Sequence, residues 1–470
     1  MALSPGPEGP LPEGAFPPPA SVPAPTPVPA LLAPPPPPRS PLDRLVAYAS
    51  HALLLNEKTI TGSRDLSLTS LTILETAADR ACAGAEEDAG IDQAGMVRHL
   101  VERVGGLEAA LGEAATERRR LHNALVELKG NIRVFCRIRP GAPADGPPVV
   151  APAPDGLAVK LVAGSGTAGS SAGAPAKPHA FDRAFGPGAS QAAVFEEVAD
   201  LVQSALDGYA VCLFSYGQTG AGKTWTMTGG PGPDAAGIIP RAVAKVLDAA
   251  RRAGPGGWAY TFEASFVEVY NEGLRDLLHP EAPKGGGRLG DPNAIQHTAD
   301  GHTRVVGATR VPVATGADIE SLLATSAAAR STAATAMNDT SSRSHSVFML
   351  AIAGAHEGAG VALKGALNLV DLAGSERLGR SLAEGDRARE ACAINKSLSA
   401  LGDVFAALAA KAPHIPYRNS KLTHLLQPCL GGSGKTLMFV NVAPDEASSG
   451  ETLCSLRFAA KVNGVETAAK

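Results

Sequence analysis

A chain of 470 residues, 44% hydrophobic and 19% charged, can bury a large core in one big or two modest domains. Its net charge of -4 argues against a generally basic nucleic-acid binder, and no apolar stretch is long enough to span a bilayer. The six cysteines, at positions 82, 136, 212, 392, 429 and 454, form no C-x-x-C pair; with no basic leader at the N-terminus, this predicts a cytoplasmic protein without disulfides or zinc.

Residues 1–41 are dominated by Pro, Ala and Gly and are predicted to form a disordered or partly polyproline II tail. Residues 42–92 mix short apolar clusters (Leu66, Leu68, Leu71, Leu74) with polar positions, which suits short helices or a linker and carries no functional signature. From Val97 the apolar residues fall into heptads, with Val97, Leu100, Val104, Leu107, Leu111, Ala114, Leu121, Leu125 and Leu128 at a and d positions. The spacing predicts a neck helix over 93–130 and a coiled-coil seam about 50 Å long at ~1.5 Å per residue. Gly105, Gly106 and Gly112 each cost about 1 kcal/mol in a helix, and Arg118 occupies an a position, so the seam is weak. A homodimer or a partner chain through residues 97–128 is the corresponding expectation. Residues 131–470 form the next predicted unit, in which 141–180 and 281–303, rich in Gly, Ala and Pro, read as surface insertions between strands.

Within that unit the apolar run Val211–Tyr216 reads as a buried strand, and it leads into Gly217-Gln218-Thr219-Gly220-Ala221-Gly222-Lys223-Thr224. This matches the phosphate-binding pattern G-x-x-x-x-G-K-[ST]. Glycines let backbone N–H groups turn toward phosphates, Lys223 can reach the β and γ oxygens, and the Thr224 hydroxyl can ligate Mg²⁺. Asn338 to His345, read NDTSSRSH, supplies an amide, hydroxyls and an arginine suited to sensing a γ-phosphate. A second apolar run, Ala366–Val370, delivers Asp371 toward the metal, and Gly374 of the following Asp371-Leu-Ala-Gly-Ser-Glu-Arg377 can offer its N–H to the γ-phosphate. Farther on, Ala393–Leu398 and Pro416–Thr423 read by themselves as a helix start and a solvated basic turn.

Taken in order, GQTGAGKT, NDTSSRSH and DLAGSER resemble the P-loop, switch I and switch II of the kinesin motor domain; myosins share the P-loop and NxxSSR but not the SRSH and DLAGSER wording. The resemblance runs from about residue 128 to the end. It implies an α/β P-loop NTPase fold with a central, mostly parallel mixed sheet flanked by helices. Thr116–Pro140 resembles the neck and first strand of the kinesin-14 subfamily, in which the neck precedes the motor. No segment resembling a plus-end neck linker follows, so a minus-end-directed or non-processive motor is implied.

The same resemblance assigns ATP and Mg²⁺ as cofactors and microtubules as partner, with a place on the cytoskeleton and possibly the spindle. Arg137, Arg139 and Pro140 would form the adenine pocket, and Trp225, where the family usually has Tyr or His, would stack on the base. Asn338 joins the P-loop residues in holding nucleotide. Ser341 and Ser342 would contact the γ-phosphate and metal, with Thr224 and Asp371 completing the metal site, Asp371 through water. Arg343 and Glu376 would close the site with a salt bridge, Glu376 relaying a proton from the attacking water. Asn395, Lys396, Tyr417, Arg418 and Lys421 would face the microtubule. Three classes stay open: an ATP-driven motor, a non-motile microtubule-stimulated ATPase, and a non-catalytic microtubule-binding scaffold. The intact Lys223, Thr224, Arg343, Asp371 and Glu376 argue against the last.

Overall fold

The structure, a computed structural model, describes residues 93–142, 146–162, 178–254, 257–282, 286–291, 294–298, 301–337, 342–356, 360–376 and 386–465. The expected Pro-rich tail and the segment 42–92 lie outside them. In chain order the elements are α1 (Gln93–Leu128), β1 (Ile132–Ile138), β2 (Val150–Pro152), β3 (Ala158–Leu161), β4 (His179–Ala180), β5 (Arg183–Phe185), α2 (Gln191–Leu206), β6 (Ala210–Tyr216) and α3 (Lys223–Met227). There follow α4 (Ile238–Ala253), β7 (Trp258–Tyr270), β8 (Gly273–Asp276), β9 (Arg288–Leu289), β10 (Ile295–His297), β11 (Thr303–Val305), β12 (Val311–Pro312) and α5 (Gly316–Met337). The last are β13 (His345–His356), β14 (Val361–Asp371), α6 (Asp386–Ala409), α7 (Lys421–Leu430), β15 (Lys435–Val442) and α8 (Ser449–Asn463).

Ten strands form one mixed sheet in the order β5-β1-β15-β6-β14-β13-β7-β8-β9, with β12 beside β7. The half from β5 to β14 is parallel, and the half from β14 to β9 is antiparallel. Both faces of the central strands are covered, so they read as near-continuous apolar runs. Alternation sorts each run between two cores. Val211, Leu213, Leu437 and Phe439 point to the side of α2, α4 and α5, whereas Cys212, Phe214, Met438 and Val440 point to the side of α6, α7 and α8. The sheet is therefore the middle layer of three.

The two segments expected to be surface insertions carry small sheets of their own: β2-β3-β4 in the first and the hairpin β10-β11 in the second. Strands of two to four residues are too short to show a period in sequence. The heptad segment is one continuous helix, α1, and its last turns pack on α2. Val126, outside the seam, is buried in the α2-side core, while the seam residues Leu121, Leu125 and Leu128 are exposed. Arg118, at its a position, pairs with Asp207 at 2.9 Å, and Arg119 lies over the Trp258 ring at 4.7 Å. In its last turns one face of the helix thus belongs to the domain, and Leu121, Leu125 and Leu128 face outward.

Candidate functional site

Parallel strands β6 and β14 end side by side, with Ser215 opposite Asp371, and the loop after β6 is the glycine-rich segment. Ligands of open α/β sheets bind at such carboxyl edges. Gly217 has φ 147° with its Cα close against the Asn441 carbonyl, and Gly222 has φ 94° where it caps α3, so neither position accepts a side chain without strain. Gln218, Thr219, Gly220 and Ala221 complete the turn, held by Ala221 N–H donating to Gln218 O (3.2 Å) and Gln218 Nε2 donating to Ser448 Oγ (2.8 Å). Lys223 is buried, and its ammonium donates to the carbonyls of Gly217 and Gln218, both at 2.9 Å. Burial pushes its pKa down, against Asp371 and Glu376, which push it up.

Thr224 Oγ1 donates to Asp371 Oδ2 at 2.6 Å, and Ser215 Oγ donates to Asp371 Oδ1 at 3.0 Å. A hydroxyl and a carboxylate so close together are hard oxygen donors of the kind Mg²⁺ takes. Ser215 was not foreseen; its only sequence signal is a polar residue inside an apolar strand.

Antiparallel pairing brings switch I to the same edge, because β13 starts where β14 ends: Ser346 lies opposite Asp371. Gly374 N–H donates to Ser342 O at 2.8 Å, and Ser375 N–H donates to Gly217 O at 3.1 Å, so both switch segments and the P-loop are tied by backbone. Glu376 accepts from Thr219 N–H (2.8 Å) and from Thr219 Oγ1 (2.5 Å). Its described bonds therefore go to the P-loop rather than to Arg343, which is half-buried nearby in sequence to Ser342. Asn338 and Ser341 lie outside the described residues.

His345, the first residue of β13, is buried among these segments. Ala373 N–H donates to its Nδ1 at 3.0 Å, which leaves Nε2 to carry the proton and donate to Ser397 Oγ at 2.7 Å. Burial, with Lys223 and Arg330 nearby, pushes the imidazole pKa down to about 3, so it is neutral.

Beside the P-loop a cavity of about 210 Å³ is lined by Arg137, Arg139, Pro140, Pro187, Gln191, Trp225 and Asp234, among others. Trp225 is 46% exposed, open to stacking. Arg139 pairs with Asp445 at 2.8 Å. Arg137 is buried and donates to Gln191 Oε1 (2.8 Å), Thr226 Oγ1 (3.1 Å) and Ala189 O (3.4 Å), all neutral; burial lowers its pKa to about 10, leaving it a cation. It fastens β1 to α2 and α3 as the floor of the pocket. Gln191 and Asp445 are partners that spacing alone did not reveal.

On the far face, α6, the turn Tyr417–Asn419 and α7 pack together. Asn395, Lys396 and Arg418 are exposed, Tyr417 is half-buried against the core, and Lys421 uses its backbone N–H on Glu272 at 2.9 Å. The β10-β11 hairpin, which sequence reading passed over as an insertion, joins this face: Thr303 Oγ1 donates to Leu425 O at 2.9 Å, and His297 meets His424 edge to face at 4.9 Å.

A family model described as the Kinesin motor domain matches residues 163–465. Kinesin-like protein KIN-14C of Arabidopsis thaliana is 49% identical over 391 residues, which is 80% of this chain and 48% of the relative. Kinesin-like protein KIFC1 of Homo sapiens is 50% identical over 372 residues, covering 74% of this chain and 54% of the relative. The chain thus spans about half the length of the curated relatives it matches. Among solved structures, the C-terminal motor and motor homology domain of Kar3Vik1, fused to a synthetic heterodimeric coiled coil, aligns with TM-score 0.68 and 38% identity over 84% of this chain and 99% of that one. The motor domain of the kinesin-like protein Kar3 of Saccharomyces cerevisiae aligns with TM-score 0.60 and 40% identity over 71% of this chain and 100% of that one. With its P-loop and both switch strands arranged at one nucleotide-binding edge and a helix leading into β1 from the opposite edge, the chain belongs to the kinesin family, in its kinesin-14 branch.

Proposed function

We propose that this protein is an ATP-driven microtubule motor moving toward the minus end, active on the cytoskeleton. The observation that carries the reading is the meeting of Thr224, Asp371, Gly374 and Ser342 at one sheet edge while α1 leads through the short turn Lys129-Gly130-Asn131 into β1 of the same sheet. Nucleotide would lie along the P-loop with its base between Trp225 and the Arg139-Pro140 side of the cavity. Thr224, Asp371 and Ser342 would hold Mg²⁺, which when bound neutralises charge on the phosphate oxygens. Lys223, now on two P-loop carbonyls, is within one side-chain rearrangement of the phosphates. Glu376 would leave Thr219 for Arg343 as the site closes, placing its carboxylate to take a proton relayed from water. Phosphoryl transfer asks for positioning and charge stabilisation more than covalent chemistry, and these groups supply both.

Output passes through two surfaces. Asn395, Lys396, Tyr417, Arg418 and Lys421 would meet tubulin. The lever would be α1, because it joins the motor on its N-terminal side and is held there by Lys129 on Asp200 (2.9 Å) and by Lys435 on Glu127 and Asn131. A homodimer or a partner chain would assemble on the heptad seam of residues 97–128, where Leu121, Leu125 and Leu128 are exposed. Domain limits follow: 1–41 tail, 42–92 linker or short helices, 93–130 neck, 131–470 motor. The test is gliding of polarity-marked microtubules over protein attached through residues 97–130. Plus ends leading support the reading; minus ends leading refute the direction; stimulated ATPase without gliding favours the non-motile alternative.

A further inference from the structure

We infer that His345 is a positioning residue that ties both switch segments to α6, with the Ser397 hydroxyl as its contact on that helix. The inference rests on the motor reading above and concerns how microtubule contact reaches the nucleotide edge.

Three elements meet at one ring. His345, the last residue of switch I, begins β13, Ala373 lies two residues past Asp371, and Ser397 lies on α6. Ala373 N–H donates to Nδ1 (3.0 Å), Nε2 donates to Ser397 Oγ (2.7 Å), and Ser397 Oγ donates on to Ile394 O (2.8 Å). Each donor and acceptor in this row has one direction open to it. Nδ1 receives a backbone N–H, so the ring's single proton must sit on Nε2; Ser397 receives that proton, so its own must go to the helix carbonyl. Both side chains are buried, at 3% and 2% exposure, so water cannot replace a lost partner.

The row begins and ends at functional surfaces. Ala373 precedes Gly374, whose N–H is shared with Ser342 O. Ser397 directly follows Asn395 and Lys396, which are exposed on α6. A shift of α6 caused by contact at those two residues must either move the imidazole, and with it the Ala373–Gly374 backbone, or break a buried hydrogen bond. A rigid ring bonded at opposite corners transmits displacement where a flexible side chain would absorb it. The ring touches neither nucleotide nor metal in this role; it acts through Gly374 and Ser342.

The full chain would be compared with Ser397→Ala, Ser397→Thr and His345→Asn for ATP turnover without microtubules, turnover at saturating microtubules, and co-sedimentation with microtubules. Ser397→Ala should keep the basal rate and the microtubule concentration giving half-stimulation, while maximal stimulation falls about tenfold, the equivalent of ~1.4 kcal/mol of coupling. Ser397→Thr, which keeps a hydroxyl, should retain the stimulation, and His345→Asn, which cannot span both partners, should reproduce the loss. A merely structural role would lower basal and stimulated rates together. Parental stimulation that survives Ser397→Ala, or that is lost equally in Ser397→Thr, overturns this inference alone and leaves the motor reading standing. Absence of any stimulation in the parent overturns both. If His345→Asn does not fold, the Ser397 pair decides by itself.

Discussion

Lys435→Met should loosen the end of the neck helix while leaving ATP turnover in place. Lys435 begins β15 with its side chain fully buried; its ammonium donates to Asn131 Oδ1 at 2.7 Å and Glu127 Oε1 at 3.3 Å, 5.0 Å from the Tyr209 ring. Burial pushes its pKa down and Glu127 pushes it up. A hydrogen bond to a charged group contributes about 1.5–3 kcal/mol. The Glu127 pair, 32% exposed on the carboxylate side, adds less than ~1 kcal/mol. Met fills similar volume and removes the several-kcal/mol cost of burying an ammonium, so global stability should change little. The last turn of α1 should lose about 2–3 kcal/mol of its hold, which Val126 packing alone does not restore. In hydrogen exchange, amides 125–130 should lose protection by roughly 30- to 160-fold. Basal ATPase should persist, because the P-loop lies at the opposite end of β6, about 20 Å away along a seven-residue strand. Unchanged protection at 125–130, with the substitution verified, would refute the hold of Lys435 on the end of α1.

Lys223→Ala and Thr224→Asn should each abolish ATP turnover with an unaltered thermal melt; turnover at the parental rate in either would remove the P-loop assignment. Parent protein should sediment as a monomer or a weak dimer at micromolar concentration. Gly105, Gly106 and Gly112 have nothing within 4 Å of an added Cβ, so changing all three to Ala should add about 3 kcal/mol to α1 and strengthen association, measured by sedimentation and helicity. The folded His345 imidazole, with its pKa near 3, refuses a proton that the unfolded chain accepts below about 6.5. Its contribution is therefore fully present above 6.5 and is lost as pH falls from there toward 3, at up to ~1.4 kcal/mol per pH unit. Urea melts of parent and His345→Asn between pH 7.5 and 5.5 should differ by that slope, and parallel curves would contradict it.

Some of the molecule was legible because its chemistry is carried by consecutive residues. Gly217 to Thr224 needs no distant partner to form its glycine-rich turn, and Asp371 follows its apolar strand directly, so the phosphate-binding pattern and the carboxylate at the end of the neighbouring strand could both be read from the chain. The heptads at 97–128 likewise marked a helix and the face its leucines share. They could not say which face meets the motor. That depended on Val126, Arg118 and Arg119 finding the α2-side core, Asp207 and Trp258.

What sequence alone determined about this protein is the phosphate-binding pattern, the strand-loop-helix order that presents it, and the kinesin-14 membership. Tertiary structure decided which groups speak to one another: Glu376 with Thr219, 157 residues apart, His345 with Ser397, 52 apart, and Lys435 with Asn131, 304 apart. Local patterns report what a residue can donate, accept or bury along its own element. Partners brought together by a ten-stranded sheet with helices on both faces are set by strand order and register, and neither leaves a period or a spacing in the chain.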